Sequence, residues 1–119
     1  VTVNRHDSDT GCTTVQYDHH ELHLPLSALA PGTETWIALR AADVALARHP
    51  VPDTTIQNQV PGRVLSLRRI ADRVLAEIDV GVPILAEITV KAVHDLDLME
   101  GDTVYCLFKA RAWHYLGAA

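Results

Sequence analysis

Thr89 opens the one stretch of this 119-residue chain whose local chemistry favours an anion. From Val90 to about Leu96, apolar residues at 90, 93 and 96 follow a helical spacing, and a hydroxyl stands at the capping position in front of them. The first N–H groups of such a helix, those of Val90, Lys91 and Ala92, have no carbonyl one turn earlier, and the helix dipole makes that end positive. Thr55, Gln57 and Asn58 add hydroxyl and amide donors just before a strand, and Lys109 adds a charge near the end of another. A tetrahedral dianion needs many donors converging on four oxygens, and charge-assisted bonds are the stronger ones. The plainer role of the same residues is structural: Thr89 serves only its own helix, Thr55 and Asn58 close a turn, and Lys109 is solvated.

Other chemistries find less support. His19, His20 and His23 stand near Asp18 and Glu21, but neighbouring residues of a strand point to opposite faces and no second cluster completes a metal site, so a polar hairpin is expected. There is no Gly-x-Ser-x-Gly elbow, no His-Glu-x-x-His and no phosphate loop. Asp43, Glu77, Asp79 and Glu87 have no identifiable partner in sequence and read as solvent-facing. Cys12 and Cys106 are too far apart for a metal motif and read as buried, reduced thiols. Trp36, Tyr105 and Trp113 are too sparse for a nucleic-acid stacking platform; they read as packing anchors or subunit contacts. The net charge of -5 likewise argues against a nucleic-acid surface. No apolar run reaches the ~20 residues of a membrane helix, and the start at Val1 suggests a piece of a longer cytoplasmic protein.

Short alternating runs must position these residues. Strands are expected at Val1–Val3, Thr13–Tyr17, Glu21–Leu24, Thr35–Leu39, Val44–Leu46, Val60–Leu67 and Ile84–Ile88, with Val74, Ala76, Ile78 and Val80 facing a core. The prolines of His49-Pro50-Val51-Pro52-Asp53 make a linker at residues 51–53, dividing residues 1–50 from 54–119. The two parts resemble each other. Pro31-Gly32-Thr33-Glu34-Thr35-Trp36-Ile37-Ala38-Leu39-Arg40-Ala41 lies over Glu100-Gly101-Asp102-Thr103-Val104-Tyr105-Cys106-Leu107-Phe108-Lys109-Ala110 at an offset of 69 residues (32 to 101), so that Arg40 meets Lys109. The pattern predicts an all-β chain with one short helix, an OB-type Greek-key barrel, with an abbreviated first half-unit and a complete second one. A β-sandwich of similar strand count is the alternative.

The segment from Thr54 through Thr55-Ile56-Gln57-Asn58 to Val60-Pro61-Gly62-Arg63-Val64, with Glu100 to Ala110 downstream, resembles the opening and closing parts of a molbindin unit. Trp36 to Leu46 resembles the Arg-x-x-Asp-Val signature that closes the preceding half-unit, with Arg40, Asp43 and Val44 at the named positions. Across almost its whole length the chain is similar to the C-terminal regulatory domain, of the TOBE class, of the ATP-binding subunit of molybdate ABC transporters. That family's unit opens with Ser-Ala-Arg-Asn; here Thr55 and Asn58 keep the hydroxyl and amide, and Gln57 replaces the Arg. Thr89 keeps the hydroxyl of the family's Ser after Ile88, and Lys109 matches its Lys.

The resemblance implies a non-catalytic domain that binds molybdate or tungstate through Thr55, Ile56, Gln57, Asn58, Thr89, Val90, Lys109 and Ala110, without a further cofactor. It implies a homodimer, a nucleotide-binding domain earlier in the parent chain, and a cytoplasmic place beside the membrane transporter. The alternatives are a dimerisation module that holds no ligand, which Gln57 favours, and a free storage molbindin.

Overall fold

The alternation read from sequence becomes ten strands and one short helix in the computed structural model, which describes residues 1–118. Two compact units divide the chain: residues 1–39 with 109–119, and residues 40–108.

The second unit is built on a five-stranded antiparallel sheet. Its members are β5 (Ala45–Ala47), β6 (Asn58–Ile70), β7 (Arg73–Asp79), β8 (Pro83–Thr89) and β9 (Thr103–Phe108), in the order β5-β9-β6-β7-β8. The long β6 changes partner midway. Asn58 to Arg63 pair with β9 and Arg63 to Ile70 with β7. Gly62 sits at that change, and its backbone runs so close to β7 that a Cβ would lie 2.9 Å from the Asp79 carbonyl. The edge strand β8 packs against the 3-10 turn Ala41–Asp43 and against β5, which closes the sheet into a barrel. Val74, Ala76, Ile78 and Val80 are all buried, as their alternation requires.

One helix, α1 (Val90–Leu96), connects β8 to β9. Thr89 caps it: its side-chain oxygen accepts from the Ala92 N–H at 3.0 Å. At the other end Asp97 takes the left-handed conformation, φ 50°, and the Leu98 N–H returns to the Val93 carbonyl at 3.0 Å. Arg48 completes that cap. Its guanidinium donates to the Leu96 carbonyl (3.1 and 2.8 Å) and the Asp97 carbonyl (2.6 Å), and pairs with Asp102 at 3.0 Å. A cation on the negative end of a helix, bonded to carbonyls without other donors, is a favourable charge-assisted arrangement. Arg48→Ala should therefore lower stability by about 1–3 kcal/mol in chemical denaturation, with a drop below about 0.5 kcal/mol showing that water replaces the guanidinium without loss.

The first unit repeats the plan with a shorter connection. β1 (Thr2–Asp7), β2 (Cys12–Tyr17) and β3 (His20–Pro25) form one antiparallel sheet; β4 (Thr35–Leu39) and β10 (Trp113–Ala118) form another. β3 packs against the 3-10 turn Ala110–Ala112 and β10, and the Tyr115 hydroxyl donates to the Pro25 carbonyl at 3.0 Å. In place of a helix, residues 26–30 are held by side chains: the Ser27 N–H donates to Thr13 Oγ1 at 2.9 Å, the Leu29 N–H to Ser27 Oγ at 3.0 Å, and His6 bonds both Thr13 Oγ1 and the Leu29 carbonyl. What is abbreviated in the first half is thus this connection and also β1: β6 pairs with β9 over Asn58–Arg63 before it reaches Val64, whereas β1 starts at Thr2, one residue before Val3, and bridges toward β4 at Thr2↔Glu34.

The division at residues 51–53 expected from the two prolines is not where the compact units part. The strand after each unit's fourth strand, β5 or β10, pairs within the other unit, so the cuts fall after Leu39 and after Phe108. The proline segment is instead bound into the second unit: Gln59 accepts from the Val51 N–H and donates to the Val51 carbonyl, both at 2.8 Å.

The repeat holds in three dimensions. The offset of 69 residues carries the turn Ala41–Asp43 onto Ala110–Ala112 and the pairs Ile37↔Tyr115 and Ala38↔His114 onto Cys106↔Leu46 and Leu107↔Ala45. Val3 and Val64 are equivalent. Each is followed by a bulge, each N–H donates to a carbonyl (Thr33 at 2.8 Å, Asp102 at 2.9 Å), and each carbonyl accepts from a left-handed glycine, Gly32 or Gly101.

Of the two cysteines, Cys106 is fully buried and Cys12 only half-buried, so the expectation of two buried thiols holds for one. Burial pushes the Cys106 thiol from 9.0 up to about 12. The unfolded chain ionises there first, so this contribution to stability is fully present below pH 9 and is lost as pH rises toward 12. In a Cys12→Ser variant, a thiol reagent at pH 8 should leave Cys106 unmodified until denaturant unfolds the chain; rapid labelling of the folded protein would contradict its burial.

Candidate oxyanion site

The eight expected site residues fall into two groups along β6. Thr55, Ile56 and Gln57 lie in the segment leading into β6, and Asn58 is its first residue, opposite Phe108. Lys109 and Ala110 follow Phe108 directly in the chain. Thr89 and Val90 belong to the other end of the strand's register: Thr89 pairs with Arg73, and Arg73 with Ile70, the last residue of β6.

In the first group, Asn58 is buried (2% exposed) while Thr55 and Gln57 are exposed. Thr54 turns the backbone with its side chain, accepting from the Ile56 N–H at 3.2 Å. Gln59 then fixes the turn by donating to the Ile56 carbonyl at 3.1 Å. The Ile56 N–H expected for an anion is therefore engaged inside the chain, whereas Thr55 and Gln57 present their side chains outward. Thr54 and Gln59 were missed in sequence because a threonine and a glutamine give no signal of bonding their neighbours' backbone.

Of the two lysines, Lys91 is tied to Asp95 one helical turn on, and Lys109 has no carboxylate partner among the described residues. Lys109 is exposed and stands in extended backbone (φ -69°, ψ 152°) before the turn Ala110–Ala112. Arg40 occupies the equivalent place (φ -77°, ψ 138°), but its Nε lies 2.9 Å from Asp43 Oδ2. Position 112, where the repeat puts the counterpart of Asp43, is alanine.

In the second group, the Thr89 oxygen takes the Ala92 N–H, and the N–H groups of Val90 and Lys91, first in the helix, have no carbonyl one turn earlier. A cleft of about 270 Å³ adjoins Thr89, lined also by Asp72, Arg73, Glu87 and Ile88. Arg73 pairs with Glu87 across the strand pair at 3.1 Å. Ser27 is the first unit's counterpart of Thr89: it follows Leu22 by the same interval as Thr89 follows Ile84, and each of those residues pairs with the partner of the equivalent valines.

Several other sequence expectations are corrected. Asp43 and Glu87 do have partners, Arg40 and Arg73, one three residues away and the other across a strand pair. Asp79 accepts from the Gly81 N–H at 2.9 Å. Trp113 is buried, but Trp36 is 64% exposed. The histidines form a hairpin, with the turn at Asp18-His19 and the His20 ring tilted by 33° against Tyr17, ring centroids 5.1 Å apart.

Residues 54–115 match the TOBE domain, over half of the chain, and the chain belongs to that family. It is 34% identical over 113 residues to the molybdenum import ATP-binding protein ModC 2 of Azotobacter vinelandii, covering 92% of this chain and 32% of that protein. The ModC of Rhizobium etli is 32% identical over 93% of this chain and 32% of its own length. The chain thus spans about a third of the length of these relatives. Its fold is similar to that of the cytoplasmic molybdate-binding protein ModG, solved with molybdate bound, with a TM-score of 0.86 and 19% identity over 99% of this chain and 92% of that one.

Proposed function

We propose that the chain is a non-catalytic domain that binds a tetrahedral oxyanion, molybdate or tungstate, and regulates the ATP-binding subunit of a molybdate transporter. The observation that carries this reading is the match along nearly the whole chain to molybdenum import ATP-binding proteins. The local chemistry supports it. Lys109 supplies an unpaired charge, Thr55 and Gln57 supply side-chain donors, and Thr89 with the Val90 N–H supplies the hydroxyl and helix end. The Ile56 N–H joins them only if the ligand displaces the Thr54 hydroxyl; Asn58 and Ala110 hold the backbone on either side.

Because the two groups lie at opposite ends of the β6 register, the ligand is shared between two copies of the domain. One copy gives Thr89 and Val90, the other gives Thr55, Gln57 and Lys109. The domain is then a homodimer in the cytoplasm, attached to a nucleotide-binding domain of the parent chain. Ligand favours whichever arrangement of the paired domains brings those groups together, and shifts the transporter by its differential affinity for that arrangement.

A ligand stabilises the state that binds it, by about 2.7 kcal/mol at a concentration a hundredfold above Kd. Molybdate or tungstate should therefore raise the melting temperature by several degrees, and chloride at equal ionic strength should not. Equal melting in all three overturns the reading. A second reading, a dimerisation module that holds no ligand, is favoured by Gln57 in place of a cation and by the exposed Trp36. It requires a dimer whose stability is indifferent to oxyanion.

A further inference from the structure

The repeat offers two equivalent cations, Arg40 and Lys109, and only Arg40 has a carboxylate at the third position of the turn that follows. Arg40 and Lys109 both precede a three-residue 3-10 turn in the same extended conformation. In each turn the third residue's N–H returns to the cation's own carbonyl, Asp43 to Arg40 at 2.9 Å and Ala112 to Lys109 at 3.0 Å. The hydroxyl is duplicated too, as Ser27 and Thr89. At the third turn position, however, the first frame has a carboxylate and the second a methyl group.

We propose that Asp43 determines how many oxyanions the chain takes, by acting as a built-in anion at the Arg40 end of the repeat. This rests on the oxyanion reading above and goes beyond it by naming the residue that limits the number of sites. The Asp43 carboxylate belongs to the ligand's chemical class, an anionic oxygen accepting from a cation. Tethered three residues from Arg40, it competes at a high effective concentration that a dissolved anion must match. It also places a negative charge where a dianion would approach. Arg40 is 75% exposed, so the ion pair adds little to stability. Its consequence is local neutralisation. At the other end, Ala112 leaves the Lys109 charge uncompensated, and the oxyanion loads there alone.

The test is calorimetric counting of sodium molybdate sites per chain in the wild-type domain and in R40A, D43N, D43N/R40A and D43N/K109A. D43N keeps the side-chain shape without the charge; D43A serves if D43N is poorly folded, with circular dichroism melts as the check on both. D43N should bind twice as many molybdate ions per chain as wild type. The added sites should vanish in D43N/R40A and persist in D43N/K109A. A wild-type domain that binds molybdate, with D43N binding no more, overturns the role of Asp43 while leaving the oxyanion reading intact. So does a wild-type count that falls in R40A. If neither wild type nor any variant binds molybdate, the oxyanion reading itself fails and this inference with it.

Discussion

Lys109→Ala should weaken molybdate binding roughly 10- to 100-fold, the loss expected when one charge-assisted hydrogen bond of about 1.5–3 kcal/mol is removed. The size follows from the surroundings. Among the described residues Lys109 has no carboxylate to release before it meets an anion, so its charge is available to the ligand. With Gln57 where the family has Arg, no second side-chain cation stands in the opening segment. The Lys109→Arg variant should recover much of the affinity, because a guanidinium also donates to an oxyanion. Arg5→Ala makes the same change in net charge at an exposed side chain paired with Glu21, and should leave affinity unchanged within about twofold because screening weakens distant charges. Equal losses in the Lys109 and Arg5 variants would reduce Lys109 to a contributor to net charge.

The largest effect on stability belongs to Gly62. A Cβ there would lie 2.6 Å from Ile78 Cγ2, 2.7 Å from Val80 Cγ1 and 2.9 Å from the Asp79 carbonyl oxygen. The two methyl groups belong to β-branched side chains with little rotameric freedom in a strand. The carbonyl is backbone of β7, held in register on both sides: Asp79 is opposite Arg63 of β6 and Pro83 of β8. Nothing in the contact can swing away. Gly62→Ala should cost about 3 kcal/mol, the upper end of overpacking, and lower the melting temperature by roughly 10 °C. Gly11 makes the control for glycine replacement in general, since a Cβ there meets no atom within 4 Å and only its left-handed backbone is strained. A Gly62→Ala protein as stable as wild type would mean that β6 and β7 can separate by several tenths of an ångström at no cost.

Much of this fold was legible because its signals are local. The Val74, Ala76, Ile78, Val80 alternation gave the buried face of β7, and Thr89 before Val90, Val93 and Leu96 gave both the cap and the bounds of α1. The match of Pro31–Ala41 to Glu100–Ala110 gave the repeat; the two 3-10 turns that follow it, Ala41–Asp43 and Ala110–Ala112, came only with the structure. Strand exchange was not legible. Pairing of Trp113–Ala118 with β4, and of Ala45–Ala47 with β9, is decided by which barrel each strand closes, and neither strand's pattern of side chains records that. The prolines at 50 and 52 therefore looked like a boundary, although Gln59 binds that segment to the second unit.

The candidate site was legible as a set of residue types and much less as an arrangement. Lys109 and Thr89 were found from a strand end and a helix start, both local features. The register that sets Thr89 beside Arg73, far along β6 from Asn58, depends on long-range pairing. Partners such as Arg40 for Asp43 and Arg73 for Glu87 were hidden for the same reason, since a turn and a cross-strand neighbour must exist before two charges can meet. Trp36 shows the limit of composition: an aromatic in a strand is expected to pack, and this one lies on an outer face.

The central claim, that this domain holds a tetrahedral oxyanion, is tested most directly by isothermal titration of the purified wild-type domain with molybdate, tungstate and sulfate. Saturable heat with molybdate or tungstate at micromolar concentration, and much weaker binding of the smaller sulfate, is the predicted result. Silence for all three anions up to millimolar concentration would contradict it.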